Sequence, residues 1–169
     1  MANRFFLILG FLCIVLIPGK GFAGVIANHD DWTVIEEREG EAKVCFAVSA
    51  PINAEGDYTQ RGDIFLLVTH RPREKAIGVV SIQAGYTYKA RTDASVRIRA
   101  KTFKLFTDGE NAWARDTATD QALVAAMKAS DKLVVTGTSS RGTQTTDTYS
   151  LSGFTKAYRA TSKACGVKP

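Results

Sequence analysis

Read along the chain, the apolar positions fall into short runs rather than long stripes. Trp32–Ile35, Val44–Val48, Ile64–Thr69, Ile77–Ile82 and Leu133–Thr136 are each rich in β-branched or aromatic residues and bounded by Gly, Pro, Asp or Ser, the pattern of strands on a sheet surface. Several such strands predict a sandwich or a barrel. Two later segments change period. Thr117-Ala118-Thr119-Asp120 reads as a capping box, after which Ala122, Leu123, Ala126 and Met127 recur at helical spacing. Ser152 stands where a second helix cap is expected, with Phe154, Ala157, Tyr158 and Thr161 following at i, i+3, i+4 and i+7. The expectation is a mainly β domain with one or two short helices, the last leading toward Cys165. No compositional break or repeat divides residues 24–169, which read as a single domain. Trp32, Phe46, Phe65, Phe106 and Trp113 are expected as its large core fillers, with Trp113 read as inter-sheet filler rather than as a ligand platform.

The opening residues follow another pattern. Arg4 is followed by Phe5–Ile17, an uncharged apolar run of 13 residues, short of the about 20 that span a bilayer. Pro18 and Gly19 then break any helix, and Gly21-Phe22-Ala23 offers a small-x-small site before Gly24. Residues 1–23 therefore read as a cleaved export signal, with an uncleaved anchor as the alternative. Acylation at Cys13 is disfavoured because Leu12 precedes it. The expected location is the periplasm or the outer surface and medium, with no integral membrane span after cleavage.

Export changes the charge and the thiol count. Loss of Arg4 and Lys20 lowers the formal charge from +5 to +3, leaving 20 basic and 17 acidic residues; such a balance favours anionic surfaces only weakly. Two cysteines remain, Cys45 and Cys165, in a compartment where disulfides persist. They are expected to pair, with two buried free thiols as the alternative.

The search for catalytic chemistry returns little, and no catalytic residue, cofactor or metal is assigned. His29 lies beside Asp30 and Asp31 without further ligands at metal-site spacing, and reads as part of a solvated segment. His70, just before Arg71 and Pro72, reads as a loop histidine. No G-x-S-x-G string marks a serine nucleophile. Gly137-Thr-Ser-Ser-Arg-Gly142-Thr143 imitates a phosphate loop in glycine spacing, but Thr143 stands where the lysine is needed and a strand-like segment follows. A polar hairpin loop, with Gly142 supplying an unusual backbone angle, is the better account.

Two surface features remain. Arg61-Gly62-Asp63 spells a cell-adhesion tripeptide ahead of a strand, where chance is a sufficient explanation. Arg97-Ile98-Arg99-Ala100-Lys101 alternates strictly, so as one strand it would place three cations on one face over about 13 Å. A solvated, edge-protecting strand face is one reading; contact of Arg97, Arg99 and Lys101 with anionic groups of an envelope or host surface is the other. Nucleic acid is not an expected partner, since no stacking aromatics interleave with the stripe.

Several motifs coincide with one family. Leu105-Phe106-Thr107-Asp108-Gly109 with Ala112-Trp113, Ala122-Leu123-Val124-Ala125-Ala126-Met127-Lys128, the Ser139-Ser140-Arg141-Gly142-Thr143 loop and Tyr149-Ser150-Leu151-Ser152-Gly153-Phe154 resemble the C-terminal half of the invasion associated locus B family. Val44–Pro51 and Phe65–Pro72 resemble its earlier segments. Ala129-Ser130 departs from the basic residue and glycine expected to close the first helix. The resemblance implies an immunoglobulin-like β-sandwich, export, and a role named from host-cell invasion; it supplies no catalytic residues. The resulting expectation is a non-enzymatic envelope or secreted protein mediating host-cell or envelope interaction. A cryptic periplasmic enzyme or a structural envelope factor is the alternative.

Overall fold

The computed structural model describes residues 24–169; the predicted export signal lies outside the described residues. The strands are β1 (Gly24–His29), β2 (Trp32–Glu39), β3 (Ala42–Ser49), β4 (Asn53–Gly56), β5 (Phe65–Arg71), β6 (Ala76–Gln83), β7 (Ala94–Ile98), β8 (Lys101–Asp108), β9 (Asn111–Trp113), β10 (Lys132–Thr138) and β11 (Gln144–Ser150). The helices are α1 (Thr117–Lys128) and α2 (Phe154–Ala164). All five strands predicted from periodicity are present, and the domain is mainly β.

The strands pair in the order β1-β2-β3-β5-β6-β9-β8-β7-β10-β11-β4, antiparallel throughout. Strand β8 joins two halves, pairing with β9 on one side and β7 on the other. Inward residues of the first half (Val34, Leu66, Ile82) and of the second (Val96, Leu133, Tyr149) lie in one buried cluster, so the sheet doubles over in sandwich fashion. The helices cover the rest of the first half's inner face: α1 packs on β6, and α2 on β1, β2, β3 and β5.

Each helix is entered differently from its expected cap. The first is capped by Asp116, one residue earlier than the capping box implied, and the Thr119 N–H donates to its Oδ1 at 2.7 Å. Its buried face is Asp120, Leu123, Val124 and Met127. It ends at Lys128 without glycine, Ala129 serving as C-cap. The second is entered through Gly153, not Ser152, whose hydroxyl instead donates to Asp30 at 3.1 Å. Gly153 has φ +83°, and a Cβ there would lie 2.0 Å from the His29 carbonyl oxygen; only glycine fits. Phe154, Ala157, Tyr158 and Thr161 are all buried as the helical spacing predicted.

The core's aromatics are largely not the expected ones: its buried rings are Trp32, Tyr88, Tyr149, Phe154 and Tyr158. Trp32 is buried against Phe154, with ring centroids 4.8 Å apart, and donates its Nε1–H to the Ser150 carbonyl at 3.2 Å. Phe46, Phe65, Phe106 and Trp113 are only half-buried. They occupy alternate strand positions to the buried Cys45, Ala47, Leu66, Leu105 and Ala112, so they stand on the sheet's outer face.

Cys45 on β3 is bonded to Cys165 at the end of α2, with Cα atoms 5.8 Å apart. The disulfide fastens the C-terminal helix to a central strand.

Candidate functional site

The cationic run does not form one strand. The chain reverses inside it: Ile98 pairs with Lys101, and Arg99-Ala100 forms the two-residue turn of the β7–β8 hairpin. Arg99 takes the left-handed conformation, φ +53°, that such turns demand. Arg-Ala lacks the Asn or Gly that would have announced the turn. Arg97 points outward opposite Val134 of β10, whereas Lys101 shares the side of its partner Ile98. The three cations therefore do not share a face.

The hairpin builds a different cationic face. Arg97, Arg99 and Lys132 line a shallow groove of about 520 Å³ with Ser130, Asp131, Val134 and Thr148. Lys104 lies in the row beside them and donates to Ser95 Oγ at 2.6 Å. Among the described residues, no carboxylate lies within ion-pair distance of Arg97, Arg99, Lys104 or Lys132. Sequence reasoning missed Lys104 and Lys132, although each alternates with inward neighbours (Phe103 and Leu105; Leu133 and Val135) and so had a legible outward direction.

A second, larger groove of about 920 Å³ opens between the 57–62 segment, the 85–87 turn and the β10–β11 hairpin. Its rim holds Arg141 and the hydroxyls of Thr59, Thr87, Ser140 and Thr143. Beneath it lies Arg61, whose guanidinium donates to both Asp147 oxygens at 2.7 Å and through Nε to the Ala84 carbonyl at 2.7 Å. Tyr58 and Tyr86 flank it, ring centroids 5.4 and 5.0 Å from Cζ. The Arg61 and Asp147 side chains are 4% and 1% exposed. Burial alone would lower the Arg61 pKa; the Asp147 carboxylate, with Tyr58 and Tyr86 adding to it, outweighs burial and raises it. The adhesion tripeptide is thus not displayed, because its arginine is committed inward. The hairpin loop carries Gly142 at φ +92° and is polar, as anticipated.

His70 is not a loop residue. It is fully buried on β5, opposite Cys45. A bulge at Thr69/His70 diverts the Gly78 N–H out of the ladder, and it donates to His70 Nδ1 at 2.9 Å. That bond assigns the proton to Nε2, which faces Ser162 Oγ at 3.1 Å; Ser162 in turn donates to the Tyr158 carbonyl at 2.9 Å. Burial first, and the Lys128 charge second, push the His70 pKa down to about 4. A histidine–serine contact that resembles a base–nucleophile pair is therefore sealed in the core, neutral and fully satisfied. His29 ends β1 half-buried. Among the described residues no group of three metal-binding side chains is assembled, and no helix is long and apolar enough to cross a membrane.

Comparison with known proteins adds one finding. Neither the curated proteins nor the solved structures yield a significant match. The family model described as Invasion associated locus B (IalB) protein matches residues 32–162, from the start of β2 to the last turn of α2. The motifs quoted above lie inside that span, and the chain belongs to the invasion associated locus B family.

Proposed function

We propose that this chain is an exported, non-enzymatic binding domain that engages anionic groups of an envelope or host-cell surface. The observation that carries this reading is the convergence of Arg97, Arg99 and Lys132 on one groove, with Lys104 alongside and no ion-pair partner among the described residues. Guanidinium forks match phosphate and carboxylate oxygens in pairs, and free surface cations add a field that steers such groups. Lys101, across the hairpin, contributes to that field rather than to the groove.

Export is supported by the N-terminal pattern and by the Cys45–Cys165 bond, which suits an oxidising compartment. A structural duty for the His70–Ser162 contact supports a binding role over a catalytic one. Protein recovered from the envelope or medium is expected to begin at Gly24; an intact Met1 there contradicts the export signal. Sedimentation with phosphatidylglycerol-containing vesicles tests the binding. Attraction is expected to fade as salt shortens the Debye length from about 10 Å at about 0.1 M to about 3 Å at about 1 M. Salt-insensitive binding, or equal binding to neutral phosphatidylcholine vesicles, contradicts it.

A further inference from the structure

The larger groove, beside the β10–β11 hairpin, takes no part in the proposed anion binding, and its lining differs in kind from that of the cationic groove. No aliphatic side chain lines it. Arg141 on the hairpin wall and Asp57 on the facing segment carry opposite charges; both are exposed, and neither has an ion-pair partner among the described residues. Beneath them Arg61 and Asp147 cancel each other's charge. The lining is therefore close to neutral yet dense in donors and acceptors, to which Thr59, Gln60, Thr87 and Ser140 add exposed hydroxyl and amide groups.

From this lining we infer that the groove binds a neutral oligosaccharide. Its walls are loops, but they are cross-braced. The Ser140 N–H donates to the Thr87 carbonyl at 2.8 Å and the Lys89 N–H to the Thr138 carbonyl at 2.9 Å, which ties the hairpin to the 85–89 segment. The Gly62 N–H donates to the Gly85 carbonyl at 2.8 Å, which ties that segment to the opposite wall. A Cβ at Gly85, φ +68°, would overlap the Gly62 carbonyl oxygen, and one at Gly137 would lie 2.7 Å from the Tyr86 hydroxyl, so only glycine permits either approach. Tyr58 and Tyr86, both half-buried, are each fixed twice, by the Arg61 guanidinium against the ring and by a hydroxyl bond: Tyr58 donates to the Ala54 carbonyl at 3.0 Å, and Tyr86 is bonded to Thr145 Oγ1 at 2.7 Å. Walls ordered before a ligand arrives lose little entropy on binding it.

Chemistry selects the ligand. Every saccharide hydroxyl both donates and accepts, which suits a lining of hydroxyls with one free guanidinium and one free carboxylate. The C–H faces of a sugar ring suit tyrosine, apolar in its body and polar at its tip. An anion drawn to Arg141 meets Asp57 as well, and a cation meets the reverse. A peptide would seek apolar side-chain pockets, which this lining lacks. At about 920 Å³ the groove lies toward the upper end of the roughly 300–1,000 Å³ of ligand sites, room for a short oligosaccharide rather than a single sugar. Neutral glycans of the bacterial envelope and of host cells share this chemistry. The site is separate from the Arg97, Arg99 and Lys132 groove and does not depend on it.

A glycan array probed with the protein purified from its native host, its disulfide intact, tests this, with neutral, sialylated and phosphorylated glycans in a bacterial and a mammalian arm. The expected result is binding to neutral oligosaccharides that persists from about 0.1 M to about 1 M salt, unlike attraction to the cationic groove. Binding in the bacterial arm assigns the envelope as the source, and binding in the mammalian arm the host surface. Arg141→Ala and Asp57→Ala are each expected to weaken binding of the tightest-bound neutral glycan about tenfold, the loss of one hydrogen bond to a charged group. Their melting temperatures are expected to stay unchanged, because both side chains are exposed and unpaired. Lys156→Glu, at an exposed position of α2, is expected to bind as the wild type does. No binding to neutral glycans in either arm overturns the inference. So does binding confined to the acidic glycans, or undiminished binding by both Arg141→Ala and Asp57→Ala.

Discussion

A guanidinium and a carboxylate taken out of water together, as Arg61 and Asp147 are, cost desolvation energy that only a fully hydrogen-bonded geometry returns. Here the fork is complete and capped by the Ala84 carbonyl. Removing one partner strands the other charge. Arg61→Ala or Asp147→Ala is expected to cost about 3–5 kcal/mol in urea unfolding, whereas Arg61→Met with Asp147→Leu recovers most of that loss; strictly additive losses would refute this pairing. His70 makes a pH-dependent contribution whose sign follows from its depressed pKa. Folded and unfolded states are both neutral above about 6.5, so the contribution is fully present there. As pH falls from 6.5 toward the folded value of about 4, only the unfolded state takes up a proton, and about 3 kcal/mol is lost. His70→Gln is expected to flatten that part of the stability profile. An imidazole titrating near 6.5 by NMR in the folded protein contradicts the assignment. Neither residue's role was legible beforehand: Arg61 hides in an adhesion-like tripeptide, and His70 sits beside Pro72, which reads as a loop. Both roles depend on partners far along the chain, Asp147 and Ser162, that periodicity cannot pair.

At the scale of elements, what alternates strongly was legible. The apolar runs of β2, β3, β5, β6 and β10 and the i, i+3, i+4, i+7 pattern of α2 are local properties, and each element formed where its pattern lies. The misplaced features are turns and faces. A two-residue turn at Arg99-Ala100 carries no glycine signal, and burying Ala112 and Leu105 sends Trp113 and Phe106 outward, which size alone does not disclose. The bridge between Cys45 and Cys165 was readable because compartment and count left one pairing. It spans a sequence separation of 120 and holds α2 against β3. Cys165→Ser is expected to cost about 2–5 kcal/mol and to lower the melting temperature by roughly 10 °C. Reduction of the native protein should reproduce that shift, and an unchanged melting temperature would exclude a stabilising role. A smaller test lies in the β5–β6 bulge. Gly78 has φ +72°, and a Cβ there would sit 3.2 Å from the Tyr158 hydroxyl, so Gly78→Ala is expected to destabilise by about 1–2 kcal/mol. An equally stable variant would show that the bulge relaxes freely.

For the whole molecule, the fold separates two outer faces of one sheet. The first half's mixes apolar and polar side chains, the second half's gathers Arg97, Lys104 and Lys132 without an ion-pair partner among the described residues, and β8 pairs with both halves. The formal charge of +3 over residues 24–169 is thus less informative than its distribution, because clustered charge steers an anionic partner while scattered charge does not. Membership of the invasion associated locus B family fixes the relationship without fixing the ligand, so the binding role rests on that distribution. The decisive measurement compares two variants of equal net charge on phosphatidylglycerol-containing vesicles at low salt. One carries Arg97→Glu, Arg99→Glu and Lys132→Glu; the other carries Lys156→Glu, Arg159→Glu and Lys163→Glu on exposed positions of α2. The account predicts that the first loses binding and the second keeps most of it. Equal loss in both, or no loss in either, would contradict a role for the groove face.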